Sequence, residues 1–471
     1  MGRNLLIFLT LVVALLNTGV ASEPVILENA DSSRIIILDD STLTKFFGHV
    51  HFTQAETEIH ADSVFISSEG YYRFMGNVKI ADTNRVLTGI NLTYDENSDM
   101  FYGSDSTRLV DRSENLILTG DSLRYDNREE ILTVYDNPKV IFNYADFEKT
   151  INVDSDSLRY FVEEGYAEAY GDVHIRKSDL VADCGKALLM PDSNRLVLTE
   201  SPLAVQGANR VSGDSMAIFL ENDLLDFIDV HGDAEAIYRQ SDRETDSTVA
   251  ESRLNAKNIK FLFELEELKK IVSAGNSYSE YIPAESDSAS TGRNIASGDS
   301  IKLYFENRDL NEVEIITSVE GTYYSSGKYS EDDVLLDRDT IRYKAQHLRY
   351  IIADDDIKLY NTAEIKHERV TLGADTIVYN TNDRNLRARP TWEETESGDS
   401  IFNPVILNDG NDEIFGKSLV YNIDNQRGKI SEMDTKLEEA FYYGRILRKE
   451  EEDVLLVSDG QYIPCEYRNA N

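Results

Sequence analysis

The sequence predicts an all-β repeat protein, and three observations predict it. A short pattern, clearest in Gly120-Asp121-Ser122-Leu123-Arg124-Tyr125, recurs about eleven times with a small residue first and apolar–any–apolar last. A second pattern alternates with it, as in Gly76-Asn77-Val78-Lys79-Ile80 and Gly171-Asp172-Val173-His174-Ile175. Polar turns rich in Asn and Asp separate the patterns, so that one unit reads strand, Asx-rich turn, strand, Gly turn, strand. Residues two apart on a strand share a face, so each copy of the first pattern aims two apolar side chains the same way. A ladder of such pairs is the mark of stacked units that bury their faces only against their neighbours.

The ladder begins with Val64/Ile66, Leu92/Tyr94, Leu123/Tyr125, Leu158/Tyr160, Leu188/Met190 and Met216/Ile218, and these twelve residues are the candidate interior site. It continues through Ile259/Phe261, Ile301/Leu303, Leu348/Tyr350, Ile377/Tyr379 and Leu419/Tyr421. Further copies of the second pattern are Gly48-His49-Val50 and Gly232-Asp233-Ala234, with weaker ones at Asn137-Pro138, Ser201-Pro202 and Asn361-Thr362. Between them lie polar stretches such as Asp95-Glu96-Asn97-Ser98-Asp99, Asp126-Asn127-Arg128 and Asn382-Asp383-Arg384, composed of residues that tolerate left-handed backbone and so predict tight turns. Only Phe261–Lys270 carries a helix-like run, and the in-register pair Ile259/Phe261 draws its start back to strand. Loop insertions are expected at 283–297, 325–339 and 392–398.

The N-terminus reads as a signal peptide over residues 1–21. Arg3 precedes an apolar run from Leu5 to Leu16, and Gly19-Val20-Ala21 is a small–any–small cleavage site. The run is too short to span a bilayer. Two cysteines, Cys184 and Cys465, make no disulfide framework; they could pair with each other, or Cys465 with another chain. With 86 acidic against 47 basic residues the net charge is −39, which excludes nucleic acid as a partner. The same charge keeps exposed strand edges from aggregating.

No catalytic centre is expected. Asp154/Asp156, Asp354-Asp355-Asp356 and the recurrent Gly-Asp-Ser are the best acidic candidates, but an active site is singular and the Gly-Asp-Ser position is periodic. Its Asp fits a turn-capping role better. His49 and His51 share a strand face without an evident third ligand, so neither a metal site nor a cofactor is expected.

The alternating patterns, G-[DN]-V-x-I and the ladder motif ending in Tyr, resemble the organic-solvent-tolerance A (OstA) family over about residues 40–430. That family includes the periplasmic lipopolysaccharide-transport protein LptA and the N-terminal domain of the outer-membrane translocon LptD. The resemblance implies a repetitive antiparallel β-jelly-roll, a V-shaped, solenoid-like open trough over residues 22–430 whose apolar interior holds acyl chains. Implied partners are lipopolysaccharide or a related glycolipid, other jelly-roll transport proteins joined end to end by strand addition, and the outer-membrane translocon. The implied location is the periplasm, in association with the outer membrane. Residues 431–471, with Phe441-Tyr442-Tyr443-Gly444 and Gly460-Gln461-Tyr462-Ile463-Pro464-Cys465, resemble the junction to an LptD-type barrel, and no barrel pattern follows in this sequence. The reading from another class is an acidic, Ca2+-stabilised structural or adhesive β-solenoid with a closed core. Lys79, Arg124, Arg159, Arg176 and Lys177 are candidates for a basic lip that would meet an anionic lipid.

Overall fold

The computed structural model describes residues 25–37, 41–113, 115–142, 150–161, 164–190, 193–222, 224–241, 248–283, 292–307, 309–324, 340–394, 400–410, 412–437, 440–451 and 454–464. The signal-peptide stretch, the expected loop 325–339 and Cys465 lie outside them. Two compact units divide the chain, Met1–Ile228 and Asp229–Asn471.

In the first unit, strands Thr42–Gln54, Thr57–Ser67, Tyr71–Ala81, Arg85–Asp95, Met100–Asp111 and Leu116–Asp126 run antiparallel, each paired with the next. Every pairing shifts register near its middle, at Phe47/Val50, His60/Ser63, Met75/Val78, Thr88/Asn91 and Ser104/Thr107. On one side of each shift sit two successive residues with left-handed backbone: Gly48 and His49 (φ 74° and 47°), Gly76 and Asn77 (73° and 45°), Asp105 and Ser106 (64° and 69°). Two residues oppose one, the geometry of a bulge, and a bulge bends its strand. The bend is sharp. Six residues of straight strand span about 20 Å, yet the rings of Phe46 and Phe52, on either side of Gly48-His49, have centroids 5.6 Å apart. Each strand is therefore two arms meeting at a corner, with the apolar side chains of both arms between them.

The two sequence patterns are the two sides of this corner. Where one strand turns through Gly-Asn or Gly-Asp, its neighbour presents the Asp of the ladder motif. Asn77 Nδ2 donates to Asp62 Oδ2 at 2.9 Å and Asn137 Nδ2 to Asp121 Oδ2 at 2.9 Å. The Asp156 amide donates to the Gly171 carbonyl at 2.9 Å. The periodic Asp thus lies opposite a bulge, within a strand at Asp62 and Asp121 and between two strand segments at Asp156, and does not cap a chain reversal as the sequence suggested. At Asp136-Asn137 and Glu200-Ser201, whose φ values are again positive, the strand breaks in two, and Pro138 and Pro202 follow at the start of the second half, a position where a missing amide costs least.

The polar stretches between patterns are hairpin turns. Asp95 Oδ1 accepts from the Asn97 amide at 3.0 Å, and Asp126 Oδ1 from that of Arg128 at 3.1 Å. Successive turns stack, with Asn127 Nδ2 on Asp99 Oδ1 at 2.9 Å.

The second unit repeats the arrangement, first with longer strands, Thr248–Glu264, Glu267–Pro283, Arg293–Glu306 and Asp309–Tyr324, and then with strands of the earlier length, Thr340–Ile351, Asp356–His367 and Val370–Asn380. Corners fall at Gly275-Asn276, Thr317-Ser318 and Asn361-Thr362. The helix-like run is the end of one strand and the start of the next, joined by a reversal at Leu265-Glu266, both left-handed. Period-two burial against Ile271 and Leu303 overrides its local helix propensity. Residues 293–297, expected inside a loop, open strand Arg293–Glu306, and Thr391–Glu394 pairs with Ser400–Asn403; residues 284–291 and 395–399 lie outside the described residues. The 431–451 stretch continues the antiparallel pairing.

Candidate functional site

Most expected rungs face the interior. Val64, Leu92, Tyr94, Leu123, Tyr125, Leu158, Met216 and Ile218 are buried, all at 5% exposure or less. Ile66 and Tyr160 share that face but are half-buried near the ends of their arms. Leu188 and Met190 are a correction. They are half-buried on the opposite face, and the rungs of that strand are Ala187 and Leu189, at 0% and 2% exposure. The motif there is Cys184-Gly185-Lys186-Ala187-Leu188-Leu189, so reading Leu188 as the first rung slips the register by one residue and turns every side chain over. Leu189 lies between Ala167 and Leu196 on the flanking strands. Leu189→Ala is expected to lower stability by about 2–3 kcal/mol, the low part of the usual range because the small side chain of Ala167 on one flank lets the site contract. Leu188→Ala is expected to cost under ~1 kcal/mol. Denaturant midpoints of the two variants check this, and equal losses would restore the slipped register.

A tyrosine closes many rungs because its ring fits the interior while its hydroxyl reaches the turn. Tyr72 donates to Glu96 Oε2 at 3.2 Å and Tyr94 to Asp99 Oδ1 at 3.1 Å. Burial, reinforced by the Glu96 carboxylate, pushes the Tyr72 phenol up to about 12. The buried Tyr125 hydroxyl has no hydrogen-bond partner among the described residues.

Space appears in the second unit, where a cavity of about 170 Å3 lies between the two arms. Leu303, Val313 and Leu348 line it from one side of the corner, and Tyr281, Tyr323 and Tyr343 from the other. Tyr350, Asp355 and Thr381 stand at one lip, Arg253, Glu280 and Asn294 at the other. Tyr343 donates to Asn294 Oδ1 at 2.9 Å, and the Tyr323 hydroxyl accepts from the Gly292 amide at 3.1 Å. The phenols of Tyr281, Tyr323, Tyr343 and Tyr350 are uncharged at neutral pH, and burial raises all four, the last to about 12, so that the wall stays uncharged further into the alkaline range. Leu303, Leu348 and Tyr350 continue the sequence ladder. Tyr281, Tyr323 and Tyr343 were missed because they belong to the other arm, whose inward positions follow the corner.

The basic lip does not form as expected. Arg176 pairs with Asp154 at 2.5 Å, Arg124 with Asp126 at 3.8 Å, and Arg159 stacks over the Tyr170 ring. Lys177 is buried, and Lys79 is exposed on the outer face. At the cavity, Arg253 and Arg239 hold Glu251 at 2.7 and 2.8 Å. Hydrogen bonds from Arg253 and then Arg239 lower the Glu251 carboxyl below its ordinary range. A lowered folded-state pKa adds stability that is present above the unfolded pKa and is lost as pH falls through the folded one. Glu251→Gln is therefore expected to flatten the acid limb of a stability–pH curve while leaving its neutral-to-alkaline shape unchanged, which thermal unfolding across pH measures.

The other acidic candidates take part in ion pairs and turns: Asp154 pairs with Arg176 and Lys139, Asp156 sits at the Gly171 corner, and Asp355 is itself a left-handed turn residue. His49 meets Asp31 at 3.0 Å at a corner and does not join His51.

An all-β chain built from repeated antiparallel corners defines the class. Residues 22–146 match the model of the family described as OstA-like protein, so that stretch is OstA-like, and its corner motif recurs through the described residues that follow it. Among solved structures the chain is similar to LptH, the LptA-homologous periplasmic component of the conserved lipopolysaccharide transport device from Pseudomonas aeruginosa, at 14% identity over 32% of this chain and 93% of that one. The TM-score is 0.23, at which nothing about this chain follows from the likeness. No curated protein matches.

Proposed function

We propose that this protein is a non-enzymatic carrier that binds lipopolysaccharide or a related glycolipid in the periplasm and passes it toward the outer membrane. The observation that supports the reading best is the apolar, tyrosine-lipped cavity between the arms of the second unit. Its size sets what it takes. A cavity of about 150 Å3 holds benzene, so about 170 Å3 accepts the end of one acyl chain, and a longer segment enters only as the arms part. Apolar contact has to drive binding, because the lip arginines are engaged by acids and the net charge of −39 repels an anionic headgroup. Each unit offers apolar strand residues for strand addition by other jelly-rolls: Ile35 and Ile37, on strand Ser32–Ile37 of the first, are 66% and 82% exposed, and Leu456 and Tyr462, on strands Val454–Ser458 and Gln461–Pro464 of the second, are exposed too.

Val313→Trp, which fills the cavity, tests the reading. Photo-crosslinking of lipid A-bearing glycolipid from position 281 is expected to fall at least ~10-fold in the variant, with far-UV circular dichroism unchanged. Crosslinking equal to that of the parent would remove the cavity from the transport path. A closed structural solenoid is the second reading, favoured by the fully buried rungs of the first unit; failure of the parent protein to take up either glycolipid or an apolar dye would select it.

A further inference from the structure

We propose that His51, His60 and Glu58 form a surface site for a borderline divalent transition metal of the Zn2+ class, separate from the apolar interior. Two-residue reversal at Ala55-Glu56 places His51 directly opposite His60, and Glu58 lies two residues before His60 on the same outward face. The imidazole rings stack with centroids 4.1 Å apart and planes 13° from parallel. One ligating atom from each of the three residues lies within 4.8 Å of the others, and His60 Nε2 is 3.5 Å from Glu58 Oε2. Ligands about 2.1 Å from a tetrahedral metal are separated by about 3.4 Å. The His60–Glu58 edge already fits, and the His51 ligand atom lies within 4.8 Å of both.

A second observation points the same way. His51 Nε2 is buried yet has no hydrogen-bond partner among the described residues. A lone pair left without a partner is costly, and a metal ion would satisfy it. Two imidazoles and a carboxylate suit zinc-like ions better than Ca2+ or Mg2+, which prefer an all-oxygen shell. The fourth position is left to water. Opposing this, Lys79 is the cross-strand neighbour of His60 on the same face. Its flexible stem keeps the ammonium in water, and Glu28, bonded to Thr53 at 3.0 Å beside Glu58, supplies compensating charge. The ion would clip the first long hairpin from outside.

The test is calorimetric titration of the full chain, stripped with chelator, with Zn2+ in the presence of excess Ca2+ to occupy surface carboxylates. One saturable equivalent is expected. His60→Ala is expected to weaken it at least ~100-fold and Glu58→Gln at least ~10-fold. Zn2+ is expected to raise the thermal midpoint of the parent but not of His60→Ala. Absence of a saturable site overturns the proposal, as does a site that survives unchanged in His51→Ala/His60→Ala. Far-UV circular dichroism of the metal-free variants, expected to match that of the parent, separates loss of ligands from loss of fold.

Discussion

Arg85→Met is expected to destabilise the first unit by about 3–5 kcal/mol, because it strands a buried carboxylate. Arg85 opens strand Arg85–Asp95 and Asp111 closes strand Met100–Asp111, so the two are directly opposed. Arg85 Nε donates to Asp111 Oδ2 at 2.6 Å, and each side chain is only 5% exposed. The other carboxylate oxygen accepts from the Ser113 amide at 2.9 Å and from its hydroxyl at 2.5 Å. Removing the guanidinium leaves the charge desolvated without its main counterion. The effect belongs to the unpaired charge rather than to the pair, since well-packed apolar replacements of buried pairs are often neutral or better. Arg85→Met/Asp111→Leu is therefore expected to return to within ~1 kcal/mol of the parent. A double-mutant cycle by urea unfolding measures both; a single variant as stable as the parent would show that water reaches the pair.

How much of this was legible in the sequence depends on whether the information was local. The rungs Leu92/Tyr94 and Leu123/Tyr125 could be read because period-two burial is written within six residues. The corners could be listed as Gly-Asn and Gly-Asp dipeptides, but their role could not, since a bulge is defined by the neighbouring strand. That hid the identity of the two patterns and led to a capping role for the periodic Asp. The slip at Leu188 has a local cause: the true rung, Ala187, is small, and Leu188 and Met190 look more like core than Ala187 and Leu189 do. Tyr281, Tyr323 and Tyr343 were hidden by the same corner, because inward positions on the second arm are counted from it. His51 and His60 become neighbours only once Ala55-Glu56 is recognised as a two-residue reversal, which pairs 54 with 57 and hence 51 with 60. Positive φ at Ala55, a residue without turn preference, explains why that signal was weak.

Gly171→Val is expected to cost about 3–5 kcal/mol and to open the arms of its strand. Gly171 has φ 72° and is followed by Asp172 at 39°, a pair of left-handed residues that makes the corner. A β-branched side chain is a severe outlier in that region. The added Cβ would also lie 2.9 Å from the Asp156 Cβ, closer than real contacts allow. Asp156 cannot simply swing away, because its amide donates to the Gly171 carbonyl at 2.9 Å and fixes where the side chain begins. On either side of the corner Ala169 and Val173 are buried, at 0% and 1% exposure, so a shift of the bulge moves core side chains on both arms. The two contributions separate by design. Gly171→Asn keeps a residue that tolerates left-handed backbone and retains mainly the steric part. Gly171→Ala/Asp156→Gly removes the Asp156 Cβ, and with it the clash, and retains the backbone part, about 1–2 kcal/mol. Denaturant unfolding orders them, with Gly171→Val least stable. A valine variant within ~1 kcal/mol of the parent would mean that the corner relaxes without its left-handed pair, as a strand bent only by its neighbours would.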